Sequence, residues 1–149
     1  MVGKKKNIVF DFNHVVDVNF FKNSINDLLS QNHNVKIIFR GRGVLEKIIK
    51  YELPHVKSFK FGYHQKGFFS KILHQLLRDY KIYKFLKINN IDLVCCFGST
   101  SAISSFFANV CYLAFDDDYE YKIPFFHANI FSTKHIMPNY INFSNKKTF

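Results

Sequence analysis

Glycine is scarce in this 149-residue sequence, which has six glycines, three prolines and no tryptophan. No glycine falls between Asn7 and Ile25, where a first strand is expected to turn into a first helix. A dinucleotide-binding turn needs glycines at that point, because the backbone must approach a pyrophosphate closely. Gly41 and Gly43 supply half of such a fingerprint, but they follow the second predicted strand. The sequence therefore argues against an NAD site.

Cysteine is scarce, with three residues, and long apolar runs are absent from the sequence. Cys95 and Cys96 are adjacent in one apolar run and Cys111 lies in another, without metal-ligand spacing or an even disulfide framework. We predict buried, reduced thiols, no metal and no cofactor. No apolar run reaches the ~20 residues of a membrane-spanning helix. The basic start, MVGKKKN, is not followed by a signal-peptide apolar region, so we expect a cytoplasmic protein.

Acidic residues are few, since 11 Asp and Glu oppose 21 Lys and Arg and leave a formal net charge of +10. Such a charge favours anionic partners, including nucleic acid. However, the excess is mostly lysine in a sequence rich in Asn, Ile and Phe, a mixture that an AT-rich genome also produces. No nucleic-acid-binding fingerprint accompanies it, and we predict no specific nucleic-acid partner.

Short apolar runs separated by helical patterns are what the sequence has in abundance. Its hydrophobic fraction of 48% supports one folded domain, which we place at residues 1–142, followed by a polar, frayed tail at 143–149. Most runs are apolar throughout, as is typical of strands covered on both faces of a parallel sheet. The predicted strands are Ile8–Phe10, Val35–Phe39, Val56–Phe61, Leu93–Phe97, Cys111–Phe115 and Ala128–Phe131.

Alternating strands and helices predict right-handed βαβ units in a single α/β domain with a three-layer, Rossmann-like open sheet that is mostly parallel. In such a sheet, ligands bind beyond the carboxyl ends of the strands, where the strand order reverses. The usual order places this crevice between the first and fourth strands. The loops at residues 11–17 and 98–101 should then face each other.

The third predicted helix, roughly Phe68 to Ile88, carries a stripe of basic side chains that includes Arg78 and Lys81. Its apolar residues are expected on the opposite side. A basic amphipathic helix can lie against an anionic membrane surface. Alternatively, the apolar side packs on the sheet and the basic stripe is solvated, which is the interpretation we favour. The apolar residues are Phe69, Ile72, Leu73, Leu76, Leu77 and Tyr80.

Candidate functional residues lie in the two facing loops. In NHVVD, a histidine near a carboxylate, His14 near Asp17, suits general acid–base chemistry, although Asp17 can equally cap the first helix. In FGSTSAISS, Gly98 lets a ligand approach the backbone, and Ser99 or Thr100 can cap a helix whose free N–H groups attract anions. An ordinary capped turn is the alternative.

The acidic segment FDDDYEYK, residues 115–122, follows the fifth strand. Its carboxylates can bind a divalent ion, form hydrogen bonds to sugar hydroxyls, or belong to a solvated loop. We regard metal binding as the weakest of these alternatives.

Taken together, the segments DFNHVVDVNFFKNSI, GSTSA, FDDD and IPFFHANIFST resemble the N-terminal half of domain-of-unknown-function family 354. That family is similar to GT-B glycosyltransferases and UDP-N-acetylglucosamine 2-epimerases, and is associated with cell-surface polysaccharide synthesis. Asp11 and His14 match its first loop, Gly98 and Ser99 its later turn, and Pro124 a proline further on.

The sequence departs from the family pattern at several of these positions. Val15 stands where the family has proline, and Asp17 where it has a second histidine. Thr100 replaces the proline of the turn, while Asp118 and Tyr119 replace a Thr-Glu pair. If the second histidine is catalytic in the family, the chemistry is altered here.

The resemblance implies the acceptor-side half of a GT-B-type protein, since nucleotide sugars bind mainly to the C-terminal domain of such enzymes. The partners would be a sugar or glycolipid acceptor, a nucleotide sugar held by a missing C-terminal domain or partner subunit, and a membrane touched peripherally at its inner face. His14 would act as general base beside Asp17. Substrate contacts would come from Asp11, Asn13, Gly98, Ser99, Thr100 and Asp117. The alternatives are a nucleotide-sugar 2-epimerase-like half, a non-catalytic binding or scaffold domain, and a truncated remnant.

Overall fold

The computed structural model describes residues 4–63, 68–117 and 122–138, with the backbone alone at 68–71 and 124. The predicted tail at 143–149 lies outside the described residues, as do Asp118, Tyr119 and Glu120. The elements are β1 (Asn7–Phe12), α1 (Val15–Ser30), β2 (Asn34–Gly41), α2 (Leu45–Glu52), β3 (Lys57–Tyr63), α3 (Phe68–Ile88), β4 (Leu93–Phe97), α4 (Ala102–Ala108), β5 (Cys111–Phe115), α5 (Lys122–Phe131) and β6 (Lys134–Ile136).

The six strands form one parallel sheet in the order β3-β2-β1-β4-β5-β6. This confirms the predicted Rossmann-like α/β fold. The order reverses at β1, which pairs with β2 on one side and with β4 on the other. The carboxyl ends of β1 and β4 therefore border the crevice at which such sheets bind ligands.

Successive side chains of each strand enter two different cores, one on each face of the sheet. On one face, Phe10 and Phe12 of β1 pack with Phe21 and Ile25 of α1. The core of the opposite face contains Val9 of β1 together with residues of α3, α4 and α5. Because both faces are covered, β1 reads as a continuous apolar run, which is why its position could be predicted.

The last predicted strand is wrong. Ala128–Phe131 forms the end of α5, and the sixth strand is Lys134–Ile136. Ala128 is fully buried in the core between α5 and the sheet, so the apolar run reflects the buried side of a helix. A short apolar run does not distinguish a strand from a helical turn.

The thiol prediction holds for two of the three cysteines. Cys95 and Cys96 are buried in the sheet, and burial raises the pKa of each thiol to about 12. Both therefore stay protonated near neutral pH. Cys111 is exposed, because it is the first residue of β5.

The expected orientation of α3 is wrong for Arg78 and for the apolar side, whereas Lys81 and Lys84 are exposed as predicted. Arg78, assigned above to the solvated stripe, is 2% exposed, and it faces the sheet together with Ile82 and Leu86. Leu73 and Leu76 instead point outward and are 58% and 62% exposed. No helix in the described part of the chain is both long enough and apolar enough to cross a membrane.

Candidate functional site

The two loops predicted to face each other do meet at the carboxyl ends of β1 and β4. Asn13 donates from Nδ2 to the hydroxyl of Thr100 over 2.8 Å. The Thr100 hydroxyl in turn donates to Oδ2 of Asp11 over 2.9 Å. These hydrogen bonds join the first βα loop to the turn after β4, so the crevice is lined by groups that hold one another in place.

Asp11 lies at the bottom of the crevice in a buried ion pair that the sequence did not suggest. Its Oδ1 is 2.5 Å from Nη2 of Arg78, and the two side chains are 0% and 1% exposed. Arg78 also donates to the main-chain carbonyls of Phe61 and Thr100, over 3.2 and 3.3 Å. Both carboxylate oxygens of Asp11 are therefore occupied, and the structure places this predicted substrate contact out of reach of solvent.

One signal in the sequence could have located Arg78. It lies four residues before Ile82 and eight before Leu86, so a helix brings all three side chains to the same face. Both of those residues are fully buried. Arg78 is wrongly placed on the solvated side of α3 because the nearby lysines suggest a continuous basic stripe.

Asp17 lies at the start of α1, where its Oδ2 accepts hydrogen bonds from the main-chain N–H groups of Asn13 and His14, over 2.6 and 3.0 Å. These contacts satisfy two amides that the helix itself cannot pair. The carboxylate is buried, and burial raises its pKa despite the two amide donors. The structure thus gives Asp17 the capping role that was the alternative to acid–base chemistry.

This raised pKa predicts how Asp17→Asn should alter the pH dependence of stability. A raised folded-state pKa favours the protonated form, so the contribution is fully present below the unfolded pKa of about 3.9. It is lost as the pH rises through the folded-state value. Asparagine does not titrate, so the stability of the variant relative to the wild type should increase with pH across this window. Urea unfolding at a series of pH values measures it, and a constant difference between the two proteins would contradict it.

The His14 ring is exposed and contacts Arg42, which follows β2, whereas the Asp17 carboxylate accepts a hydrogen bond from the main-chain N–H of His14. Nη1 of Arg42 lies 2.8 Å from Nε2 and 3.4 Å from Nδ1 of the ring. A donor in the ring plane cannot be this close to both nitrogens, so the guanidinium lies over the ring face.

Asn13 has an unpaired acceptor in the crevice. The residue is 8% exposed, and its Oδ1 is buried without a hydrogen-bond donor among the described residues. Buried carbonyl oxygens of this kind are usually paired, because an unpaired one costs about 1–3 kcal/mol. Asn13 therefore leaves one buried acceptor in the wall of the crevice unsatisfied.

The turn after β4 leaves an open approach to the backbone. Gly98 has φ +94°, which L side chains rarely adopt, and a Cβ added there would meet no atom within 4 Å. Ser99 and Thr100 are partly buried beside it. The predicted cap is wrong, since α4 begins at Ala102 and Ser101 occupies the N-cap position without a side-chain cap. The start of α4, a helix of seven residues, therefore gives no evidence of an anion site.

The described part of the acidic segment lies at the carboxyl end of β5. Asp117 is exposed, and its main-chain N–H donates to Oδ1 of Asp116 over 3.1 Å. Oδ2 of Asp116 lies 3.7 Å from Nε2 of the buried His135. Within residues 4–63, 68–117 and 122–138, no group of three His, Cys, Asp or Glu side chains is arranged to hold a metal ion.

Solved structures that resemble this chain include glycosyltransferases and UDP-GlcNAc 2-epimerases. Acinetobacter baumannii MurG superposes with a TM-score of 0.73 at 13% identity over 95% of this chain and 44% of its own. The UDP-GlcNAc 2-epimerase of Neisseria meningitidis bound to UDP-GlcNAc gives 0.70 at 13% identity, over 89% and 40%. A glycosyltransferase from Rickettsia africae gives 0.67 at 18% identity, over 91% and 37%. The chain resembles one Rossmann-like half of a GT-B protein.

The chain spans less than half the length of these three proteins. No protein-family model matches the sequence, and no curated protein matches it significantly. At such low identities the likeness establishes the fold. The roles of individual residues rest on the geometry described above.

Proposed function

We propose that this chain is the acceptor-side half of a GT-B-type glycosyltransferase-like protein in cell-surface polysaccharide or glycolipid synthesis. The main support is its match to a single half of larger glycosyltransferases, with a polar crevice where the strand order reverses. A donor-binding unit, in a partner subunit or a further segment of a longer chain, completes the active site. Membership of domain-of-unknown-function family 354 remains a prediction.

In this proposal the crevice residues divide into groups that touch the acceptor and groups that hold them. His14 is the general base for an acceptor hydroxyl, because its exposed ring borders the crevice. Asn13 binds the acceptor through its unpaired Oδ1 once its side chain turns toward the crevice, since that oxygen is buried in the structure. Asp11 positions Thr100 by accepting a hydrogen bond from its hydroxyl, and Asp17 fixes the main chain at Asn13 and His14.

The turn after β4 and the acidic segment supply the remaining contacts. Ser99 offers its hydroxyl to the acceptor beside Thr100, whose own hydroxyl is held by Asn13 and Asp11, and the open backbone at Gly98 lets the acceptor approach. Asp117, which is exposed at the end of the neighbouring β5, binds sugar hydroxyls. The UDP-GlcNAc bound to the Neisseria enzyme supports a nucleotide sugar as the donor.

A nucleotide-sugar 2-epimerase-like half is the second candidate function. It is supported by the Neisseria 2-epimerase, whose TM-score of 0.70 is close to the 0.73 of MurG. The two candidates differ in what this half binds. An acceptor half binds a sugar or glycolipid acceptor in the absence of nucleotide, whereas an epimerase half has no second sugar to bind.

We further propose that the chain works in the cytoplasm and touches the inner face of a membrane through α3. The outward side of α3 exposes Leu73, Leu76 and Tyr80, and Lys81 and Lys84 follow on the exposed side. The inward side contacts the crevice, since Gln75 donates to the Thr100 carbonyl over 3.3 Å. A glycolipid acceptor in the membrane would thus lie next to the proposed active site.

The acceptor role is tested by calorimetric titration of the protein with UDP, UDP-GlcNAc and an acceptor mimic such as octyl N-acetylglucosaminide. We expect the acceptor mimic to bind without nucleotide, and His14→Ala to weaken it about tenfold or more, because a hydrogen bond in the crevice is lost. His55→Ala is the matched control, since His55 is exposed before β3 at the other edge of the sheet. Tight binding of UDP-GlcNAc with no binding of the mimic would overturn the acceptor assignment.

A further inference from the structure

Three arginines lie near the crevice, and one of them has a carboxylate partner. Arg78 pairs with Asp11. Among the described residues, neither Arg40 nor Arg42 has a carboxylate oxygen within 4.0 Å. They flank Gly41 at the carboxyl end of β2, which lies beside β1 in the sheet. This side of the crevice therefore carries two guanidinium groups without a direct ion pair, although the nearby carboxylates of Asp11 and Asp79 favour the charge of Arg40.

Arg40 is held in place without a counter-ion. Its Nη2 donates to Oε1 of Gln75 over 2.5 Å, and Gln75 also donates to the Thr100 carbonyl. The side chain is partly buried, and burial together with the nearby Arg78 lowers its pKa. A partly buried guanidinium usually pairs with an anion, because an unpaired charge is costly to remove from water.

Arg42 is exposed and lies over the His14 ring. A guanidinium and an imidazole both donate hydrogen bonds to anions, and neither supplies a negative charge to the other. Arg42 is also close enough to Arg40 to disfavour the charge of that residue. An anion placed between Arg40 and Arg42 would relieve the repulsion between their charges.

We propose that Arg40, Arg42 and His14 form an anion subsite for the phosphate group of a phosphorylated ligand. Two guanidinium groups suit a phosphate, which has several acceptor oxygens and up to two negative charges, better than a single carboxylate. The identification of that ligand as a phosphorylated sugar acceptor rests on the proposed function. The same phosphate chemistry occurs in a nucleoside diphosphate, so the test must separate the two sources.

The experiment measures the binding of inorganic phosphate, N-acetylglucosamine 1-phosphate, UDP and N-acetylglucosamine by calorimetry at fixed ionic strength. We expect the sugar phosphate to bind the wild type and Arg42→Gln to weaken it roughly tenfold to a hundredfold, because a charge-assisted hydrogen bond is lost. Arg40→Gln should act similarly. Arg42 is exposed, so its variant should keep the fold even if the Arg40 variant does not. Lys57→Gln is the control, because it removes the same charge at the amino end of β3, whereas the crevice lies at the carboxyl ends of the strands.

Loss of phosphate binding in Arg42→Gln with no change in Lys57→Gln supports the subsite. Equal losses in both variants would show attraction by the net charge alone, and unchanged affinity in Arg42→Gln would also overturn the proposal. If UDP binds through Arg42 and the sugar phosphate does not, the subsite stands and the acceptor-side function fails. If unphosphorylated N-acetylglucosamine binds and no phosphate compound gains affinity from Arg42, the function stands and the subsite fails.

Discussion

Asp11→Asn should lower the free energy of unfolding by about 3–5 kcal/mol, because it leaves the charge of Arg78 buried and unpaired. Arg78 is 2% exposed and makes its one ion pair among the described residues with Asp11. Asparagine has nearly the same size, so the loss reports the missing charge and leaves no cavity. Urea unfolding followed by circular dichroism measures it from the shift of the midpoint at a constant slope.

The matched control is Glu52→Gln. Glu52 and Lys22 form an ion pair at 3.1 Å, but their side chains are 30% and 35% exposed. Water screens such a pair, and its removal should cost about 0–1 kcal/mol. If Asp11→Asn costs no more than Glu52→Gln, the buried pair is not a stabilising contact.

A double-mutant cycle separates the pair from the rest of the network. Arg78→Met alone removes three hydrogen bonds, to Asp11, Phe61 and Thr100. The double variant with Asp11→Asn should be less destabilised than the sum of the two single variants, because neither then leaves an unpaired buried charge. Additive losses would mean that each residue acts through other neighbours.

The sequence predicted the sheet well because the physics of a parallel sheet is local. Each of β1, β2, β4 and β5 has apolar side chains on both faces, and a continuous apolar run marks it without knowledge of the fold. The end of the sheet was not predictable in this way. β6 has three residues, and only Ile136 among them is apolar.

The position of the site could be predicted, whereas its contacts could not. Strand order alone places residues 11–17 opposite 98–101. The distribution of charge depends on pairs far apart in sequence, such as Asp11 and Arg78, which are 67 residues apart. Proximity in sequence was misleading for His14 and Asp17, because a carboxylate three residues into a helix folds back onto main-chain N–H groups.

The outward face of α3 predicts that the protein binds anionic vesicles through exposed leucines. Leu73 and Leu76 are 58% and 62% exposed in the first half of the helix, and Lys81, Lys84 and Lys87 are exposed in the second half. Burying one leucine side chain contributes about 1.5–3 kcal/mol, and each lysine near an anionic surface about 1 kcal/mol. Binding should therefore require phosphatidylglycerol and weaken at high salt. The part of the binding free energy that comes from the leucines should not change with salt, because salt screens only charges.

Leu73→Glu with Leu76→Glu should weaken binding at least about a hundredfold, since both apolar contacts are lost and two negative charges are added. Sedimentation with phosphatidylcholine vesicles, with and without phosphatidylglycerol, measures this. Tyr51→Glu is the control, because Tyr51 is 82% exposed on α2, which packs on the other face of the sheet. Similar losses in the control and the leucine variant would indicate that net charge alone drives binding. Unchanged binding in the leucine variant would exclude this face of α3 as the contact, because two glutamates there would be repelled by the anionic surface.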